Sequence, residues 1–240
     1  MRVKAVISYD GSAFFGFQRQ KSTKQTVTSA IEQALRSLNI DARIVASGRT
    51  DRGVHATGQV IHFDLPPYWR ELEQLRLNLN RKLSSIVIKH IAKVEEGFHA
   101  RFSAKKRLYR YVFKTDLPSV FERKYISCYN GFDKVVLQEA LQCFLGEHDF
   151  RYFHKTGSDT HTTVRHIYLA KYQKRHSYHF IYFEANGFLR SQVRMMVESA
   201  MACARGRMKI SELKEQLAGI QTYNHHLAPP EGLYLARVLY

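Results

Sequence analysis

Apolar and polar residues alternate at the start of the chain, over residues 2–9. One face of this segment would carry Val3, Ala5, Ile7 and Tyr9. A period of two residues is typical of a half-buried strand. Over residues 26–39 the apolar positions instead recur every three or four residues, which predicts an amphipathic helix with Thr26 as its N-cap.

The same two periods recur along the rest of the chain. Alternation predicts further strands over residues 58–65, 85–94, 107–115, 162–174, 177–185 and 233–240. Helical spacing predicts helices over the leucines at 72, 75, 79 and 83, over residues 134–145 and 188–205, and from residue 211 onward. Gly146 and Gly206 are placed to end two of these helices. Long strands mixed with helices, without strict alternation, favour an α+β fold with a largely antiparallel sheet.

The segment around residues 96–103 is the least structured junction in the pattern. We therefore expect an N-terminal half at residues 1–99 and a C-terminal half at residues 100–240. Each half contains strands interleaved with about two helices, and 240 residues suit two such units.

The charge balance indicates the kind of partner. Thirty-seven Lys and Arg residues oppose 21 Asp and Glu residues, a formal net charge of +16. Such an excess predicts a polyanionic partner, bound through phosphate contacts and counterion release. No run approaches the roughly 20 apolar residues needed to cross a bilayer, so we expect no membrane partner.

Two further features indicate the compartment. The N-terminal segment reaches Asp10 before a signal-peptide core could form. The scattered Cys128, Cys143 and Cys203 imply neither a disulfide framework nor a CxxC zinc site. Both features predict a cytoplasmic protein.

The segment GRTDRGVHA, residues 48–56, is the first candidate for chemistry. Asp51 lies between Gly48 and Gly53, which permit a tight turn, and the cationic Arg49 and Arg52 would favour an ionised carboxylate. Such a carboxylate could be a nucleophile, a general base or a metal ligand. Taken alone, the segment is more typical of a turn aspartate beside solvated arginines.

A second candidate is the basic and aromatic segment at residues 98–114, which contains no acidic residue. Tyr109, Tyr111 and Phe113 would share one face of its strand. Interleaved cations and aromatic rings can hold phosphates while stacking on unpaired bases. The alternative is a core strand with a solvated basic face, and alternation cannot decide which of these describes Tyr109.

The predicted helix at 188–205 supplies a third candidate. Arg190 and Arg194 would lie on one face near its start, where two cations oppose the helix dipole. An anion from elsewhere, a carboxylate or a phosphate, would explain them. A surface pair is the plainer alternative.

Metal and nucleotide motifs are missing from the sequence despite its 12 histidines. The chain contains no HExxH, GxxxxGK[ST], GxGxxG or GxSxG segment. The cluster at 146–154 has Glu, His and Asp in succession, but adjacent residues do not converge on one ion unaided. We expect no metal and no cofactor.

Several segments in order resemble one family. They are YDGSAFFGFQRQ (9–20), GRTDRGVHATGQVIHF (48–63), FHARFSAKKRLYRY (98–111), FLGEHDFRYF (144–153), TVRHI (163–167), FLRSQVR (188–194) and APPEGLYL (228–235). Together they are similar to the tRNA pseudouridine synthase A (TruA) family over almost the whole chain. The family usually has a small residue near Glu198, so this chain departs from the pattern there.

The resemblance implies a fold, an activity and a site. The fold would be two similar α+β halves sharing one continuous, largely antiparallel sheet flanked by helices, with a basic cleft between the halves. The activity would be that of a homodimeric isomerase converting uridine to pseudouridine at positions 38, 39 and 40 in the anticodon arm of tRNA. The resemblance assigns Asp51 as the nucleophile, Tyr109 as the residue stacking on the target uracil, Arg194 as the partner of the carboxylate and Arg49 as a support for the flipped-out base.

Two other classes of function are compatible with the composition. A non-catalytic RNA-binding or chaperone protein would account for the charge and the aromatic strands. A metal-dependent hydrolase would use the histidines and be sensitive to chelators, whereas the isomerase would not.

Overall fold

A computed structural model describes residues 1–157 and 161–240 of the chain. It divides into two compact units. The first comprises Met1–Lys105 together with Tyr234–Tyr240, and the second comprises Lys106–Leu233. The sequence pattern divides the chain instead at residues 99 and 100, because it cannot show that the last strand returns to pair with an early one.

The first unit is built on a mostly antiparallel sheet. Its elements are β1 (Arg2–Tyr9), α1 (Val27–Arg36), β2 (Val45–Ala46), β3 (His55–Asp64), α2 (Leu72–Lys82), β4 (Ile86–Lys93) and β10 (Leu233–Leu239, in this unit from Tyr234). The strand order is β4-β1-β3-β10, and β2 pairs with β3. Only β10 runs parallel to its neighbour β3, with Tyr234 opposite His55.

The local structure of this unit follows the hydrophobic pattern closely. Val3, Ala5 and Ile7 are fully buried on one face of β1, as the alternation predicts. The Thr26 hydroxyl accepts a hydrogen bond from the Ser29 amide at 3.2 Å and caps α1. The register of β1 against β3 shifts between Ile7 and Tyr9, just where the chain approaches the 48–56 segment.

The second unit repeats the plan of sheet and helices. Its elements are β5 (Lys106–Lys114), β6 (Ser127–Cys128), α3 (Lys134–Gln142), β7 (Gly146–Asp149), β8 (Val164–Arg175), β9 (Tyr178–Ala185), α4 (Gln192–Ala204) and α5 (Ile210–Leu217). The order is β5-β9-β8-β7, all antiparallel, and β6 runs parallel to β5. A cluster of buried rings, with Phe144 in edge contact with Phe153 and Phe183, forms part of its core.

The predicted α+β class with largely antiparallel sheets is confirmed. Two local predictions were wrong, and one short strand was missed. The helix α3 ends at Gln142, so Gly146 does not cap it and instead opens β7 with a φ of 95°. The helix α4 begins at Gln192 and not at Phe188, and β7 itself was missed because its four residues are too few to show a period.

Within the described residues, no helix is long and apolar enough to cross a membrane.

Candidate active site

The turn that carries Asp51 links β2 to β3 in the first unit. The Val54 amide donates to the Asp51 carbonyl at 3.2 Å, and Gly53 has a φ of 79°. A positive φ of this size is easily adopted only by glycine, so Gly53 makes the tight turn possible. Gly48 does not have a positive φ. Asp51 is half-buried, and Arg49 is exposed.

The strand side of this turn is fixed by Gln59, a fully buried residue of β3. Its side-chain oxygen accepts from the Ser47 hydroxyl at 2.6 Å, and its amide nitrogen donates to the Gly48 carbonyl at 2.8 Å. A buried amide satisfied by backbone and hydroxyl partners positions the chain that it binds. The sequence did not reveal this role of Gln59.

The other side of the turn is braced by the YDGSAFFGFQ segment. The Tyr9 hydroxyl bonds to the Thr50 hydroxyl at 2.8 Å, and the Phe17 amide donates to the Thr50 carbonyl at 3.1 Å. Burial raises the pKa of Tyr9 well above its usual range, so the phenol stays protonated. The residue immediately before Asp51 is thus held through both its side chain and its backbone.

Arg52 and His55, which have no assigned role, contact the same segment. The Arg52 guanidinium lies 4.3 Å from the centroid of the Phe15 ring, in cation–π geometry. His55 is buried, stacks on Tyr234 at 4.7 Å, and accepts the Gly11 amide at Nδ1 over 3.0 Å. An Asp10 carboxylate oxygen lies 3.4 Å from the same nitrogen.

Glycine is required at position 11, where the YDGSAFFGFQ segment packs against Val54 at the end of the turn. A Cβ at Gly11 would lie 2.1 Å from the Val54 carbonyl oxygen, a backbone atom that cannot move aside alone. We expect Gly11→Ala to lower the free energy of unfolding by about 1–3 kcal/mol. Urea denaturation checks this expectation.

Gly48→Ala is the matched control, since a Cβ there meets no atom within 4 Å. It should change the free energy of unfolding by no more than about 0.5 kcal/mol. Equal stability of the two variants would contradict the close packing of the Gly11 segment against the turn.

Tyr109 lies in β5 of the second unit, opposite Phe183 of β9. Only 9% of its surface is exposed, and its ring meets Phe188 edge-on at 5.2 Å. Phe188 belongs to the FLRSQVR segment, so two of the motifs found in the sequence meet at this pair of rings. Tyr111, two residues on, is fully buried, and its hydroxyl bonds to Ser127 at 2.6 Å and to the Pro229 carbonyl at 3.0 Å.

Arg194 lies in the first turn of α4 and is tied to the APPEGLYL segment. Its Nε donates to the Ala228 carbonyl at 2.7 Å, and the Ala228 amide donates to the Arg194 carbonyl at 3.1 Å. The Tyr111 hydroxyl also holds the adjacent Pro229 through its carbonyl. The backbone at Ala228 and Pro229, to which Arg194 is bonded, is therefore fixed from two sides. These hydrogen bonds link the FLRSQVR and APPEGLYL segments, which are far apart in the sequence.

Arg190 does not share a helix face with Arg194, and that prediction was wrong. Ser191 adopts a left-handed conformation with φ of 60°, and the buried Gln192 side chain accepts from the Leu189 amide at 2.7 Å. The helix therefore begins after Arg190. The Arg190 guanidinium instead donates to the Thr156 carbonyl at 3.4 Å, and the Lys155 amide donates to the Arg190 carbonyl at 3.0 Å.

Glu198, one of the departures from the family pattern, is accommodated by two partners. The Tyr129 hydroxyl donates to one carboxylate oxygen at 2.5 Å, and Arg207 donates to the other at 3.2 Å. A carboxylate paired in this way can be carried where a small residue is usual.

Metal ligation finds no support in side-chain placement. Among residues 1–157 and 161–240, no three His, Cys, Asp or Glu side chains lie close enough together to hold an ion.

The four residues expected at the site are divided between the units, with Asp51 and Arg49 in the first and Tyr109 and Arg194 in the second.

Comparison with known proteins agrees with the motifs. A family model described as tRNA pseudouridine synthase matches residues 5–103 and 140–240. Proteins named tRNA pseudouridine synthase A from Campylobacter jejuni and Wolinella succinogenes are 40% and 39% identical to the chain, covering 100% and 98% of it and 100% and 92% of their own lengths. One from Streptococcus agalactiae is 40% identical over 100% of this chain and 95% of its own.

Among solved structures, the crystal structure of a Cbf5-Nop10-Gar1 complex matches with a TM-score of 0.33 and 13% identity, over 83% of this chain and 45% of that one. Similarity at that level carries no argument about the site. The family model and the full-length relatives show instead that the chain belongs to the tRNA pseudouridine synthase family, a family of isomerases that act on tRNA.

Proposed function

We propose that the chain converts uridine to pseudouridine at positions 38, 39 and 40 in the anticodon stem-loop of tRNA, with Asp51 as the nucleophile and no cofactor. The observation that carries this proposal is the bracing of the Asp51 turn. Hydrogen bonds from Tyr9, Phe17 and Gln59 hold the turn on both sides. A turn aspartate that merely binds solvent does not need such support, whereas a nucleophile has to be held in position.

The reaction is an isomerisation, and its atoms balance without an added reagent. The bond between N1 of uracil and C1′ of ribose breaks, the base turns, and a bond from C5 to C1′ forms. C5 loses its hydrogen, and N1 finishes with one. The ionised Asp51 attacks either C1′ of the sugar or C6 of the uracil.

The other three residues would act on the base and on the carboxylate. A uridine in a stem or a stacked loop has to leave the stack first, at a cost of about a few kcal/mol. In this proposal Tyr109 stacks on the uracil, Arg49 supports the flipped-out nucleotide, and Arg194 pairs with the Asp51 carboxylate. The anchoring of Arg194 by Ala228 supports its part, because a guanidinium held at Nε keeps its terminal nitrogens directed.

The proposal extends to substrate binding and assembly. The net charge of +16 favours contacts to the phosphate backbone, which are insensitive to sequence and would allow many tRNAs to bind. We further propose that the enzyme works in the cytoplasm as a homodimer that binds tRNA across both subunits. Light scattering would then give a mass twice that of one chain.

Release of tritium from C5 of uridine tests the activity. Purified protein is incubated with an unmodified tRNA transcript labelled at that carbon, with and without a chelator. We expect release in both cases, because C5 loses its hydrogen and no metal takes part. The matched transcript with cytidine at positions 38–40 should release none.

Each other outcome contradicts the proposal in a distinct way. Tight binding without release would indicate a non-catalytic RNA-binding protein. Release that the chelator abolishes would indicate metal-dependent chemistry.

A further inference from the structure

The turn at residues 98–103 in the first unit presents an aromatic side chain to solvent. Phe102 is 77% exposed, although large apolar side chains are usually covered. It lies outside the residues assigned above to catalysis. The question is whether the turn is built to present this ring.

Hydrogen bonds within the turn fix its shape. Nδ1 of His99 accepts the amides of Arg101 and Phe102, each at 3.2 Å. The His99 amide donates to the Ser103 hydroxyl at 3.0 Å, and the Ser103 amide donates back to the His99 carbonyl at 2.9 Å. The backbone under Phe102 is therefore held before any ligand arrives.

Contacts with the core of the unit hold the turn in place. The amide of the fully buried Ala100 donates to Nδ1 of His62 at 3.1 Å, and its carbonyl accepts from the Tyr240 hydroxyl at 2.8 Å. Burial, together with the nearby His99, lowers the pKa of His62, so its ring is neutral and able to accept. The turn is a rigid projection and not a loose loop.

The Phe102 ring is itself oriented by its neighbours. It stacks on the His99 ring at 4.3 Å with an interplanar angle of 25°, and the Arg101 guanidinium lies 5.6 Å from its centroid. Arg101 and Lys105 are exposed, and no carboxylate occurs between residues 98 and 114. The exposed Glu95 and Glu96 precede the turn and are the acidic groups nearest to it in sequence.

This combination matches the chemistry of an unpaired nucleotide. The exposed Phe102 ring can stack on a base, and the Arg101 guanidinium beside it can bind a phosphate. We propose that the 98–103 turn is an RNA contact outside the catalytic site, where an unpaired base stacks on Phe102 and Arg101 binds a neighbouring phosphate. The identification of the RNA as tRNA rests on the proposed function.

Affinity for an unmodified tRNA transcript tests this site first. Stacking on an aromatic side chain is worth enough that Phe102→Ala should weaken binding by about 5- to 100-fold. Phe102→Tyr, which keeps the ring, should stay within about twofold of wild type. Arg101→Ala should weaken binding and lower the salt dependence by about one phosphate contact. Because Phe102 is exposed, the unfolding midpoint of the alanine variant should match that of wild type.

Fluorescence then reports stacking directly and without turnover. Trp69 is the single tryptophan of the chain, so a protein carrying Trp69→Phe and Phe102→Trp has its only indole in the turn. We expect that indole to be quenched by a single-stranded oligouridylate and by tRNA. Wild-type affinity in Phe102→Ala, or an unquenched indole with bound RNA, would overturn the inference. Tritium release by the wild-type protein judges the proposed function separately.

Discussion

Asp51→Asn is expected to reduce pseudouridine formation by at least about 1,000-fold, because an amide cannot act as the nucleophile. Asparagine has nearly the same shape as aspartate and can occupy the same turn, so the bonds through Thr50 and Gln59 should persist. The variant should therefore bind tRNA within about threefold of wild type. Single-turnover tritium release and a filter-binding assay measure the two quantities.

Asp41→Asn is a suitable control for this variant. Asp41 is an exposed carboxylate of the same unit that we assign no role, and its replacement makes the same change in charge. It should leave release and affinity near wild type. Turnover that persists in Asp51→Asn would eliminate Asp51 as the nucleophile.

Tyr109→Ala is expected to lower the turnover rate by about 100-fold and tRNA affinity by much less. The proposal gives Tyr109 one task, to stack on and orient a uracil that has left the helix, whereas many phosphate contacts share the binding of tRNA. Its ring is preset by edge contact with Phe188, so truncation also removes a neighbour of that ring. Single-turnover rates at saturating enzyme separate the two effects.

Tyr109→Phe distinguishes the ring from the hydroxyl. If stacking is what matters, phenylalanine should retain most of the turnover that alanine loses. An equal loss of rate and affinity in Tyr109→Ala would instead indicate a general role in RNA binding.

Hydrophobic period was sufficient to predict the long elements. Strands β1, β4 and β9 and helix α1 lie within a few residues of their predicted bounds, because each is long enough to show its period. The period failed where the backbone departs from regular geometry. Nothing in the pattern at Ser191 signals a left-handed residue, and that residue moves the start of α4 past Arg190.

The candidate site was predictable in its residue types and not in its construction. GRTDRGVHA marks Asp51, but its local spacing alone favours a solvated turn. The turn is distinguished by contacts between residues about forty positions apart in the chain. They join Tyr9 to Thr50 and Gly11 to His55. Contacts of this range depend on how β1 and β3 pair, which a single sequence does not encode as a local signal.

Mapping pseudouridine at single-nucleotide resolution tests the central claim most directly. One tRNA transcript with uridine at positions 38, 39 and 40 is treated in parallel with wild type, Asp51→Asn and Asp41→Asn. The account predicts pseudouridine at those positions, and at no other, with wild type and Asp41→Asn, and none with Asp51→Asn. Modification confined to other positions, or the same pattern from Asp51→Asn, would contradict it.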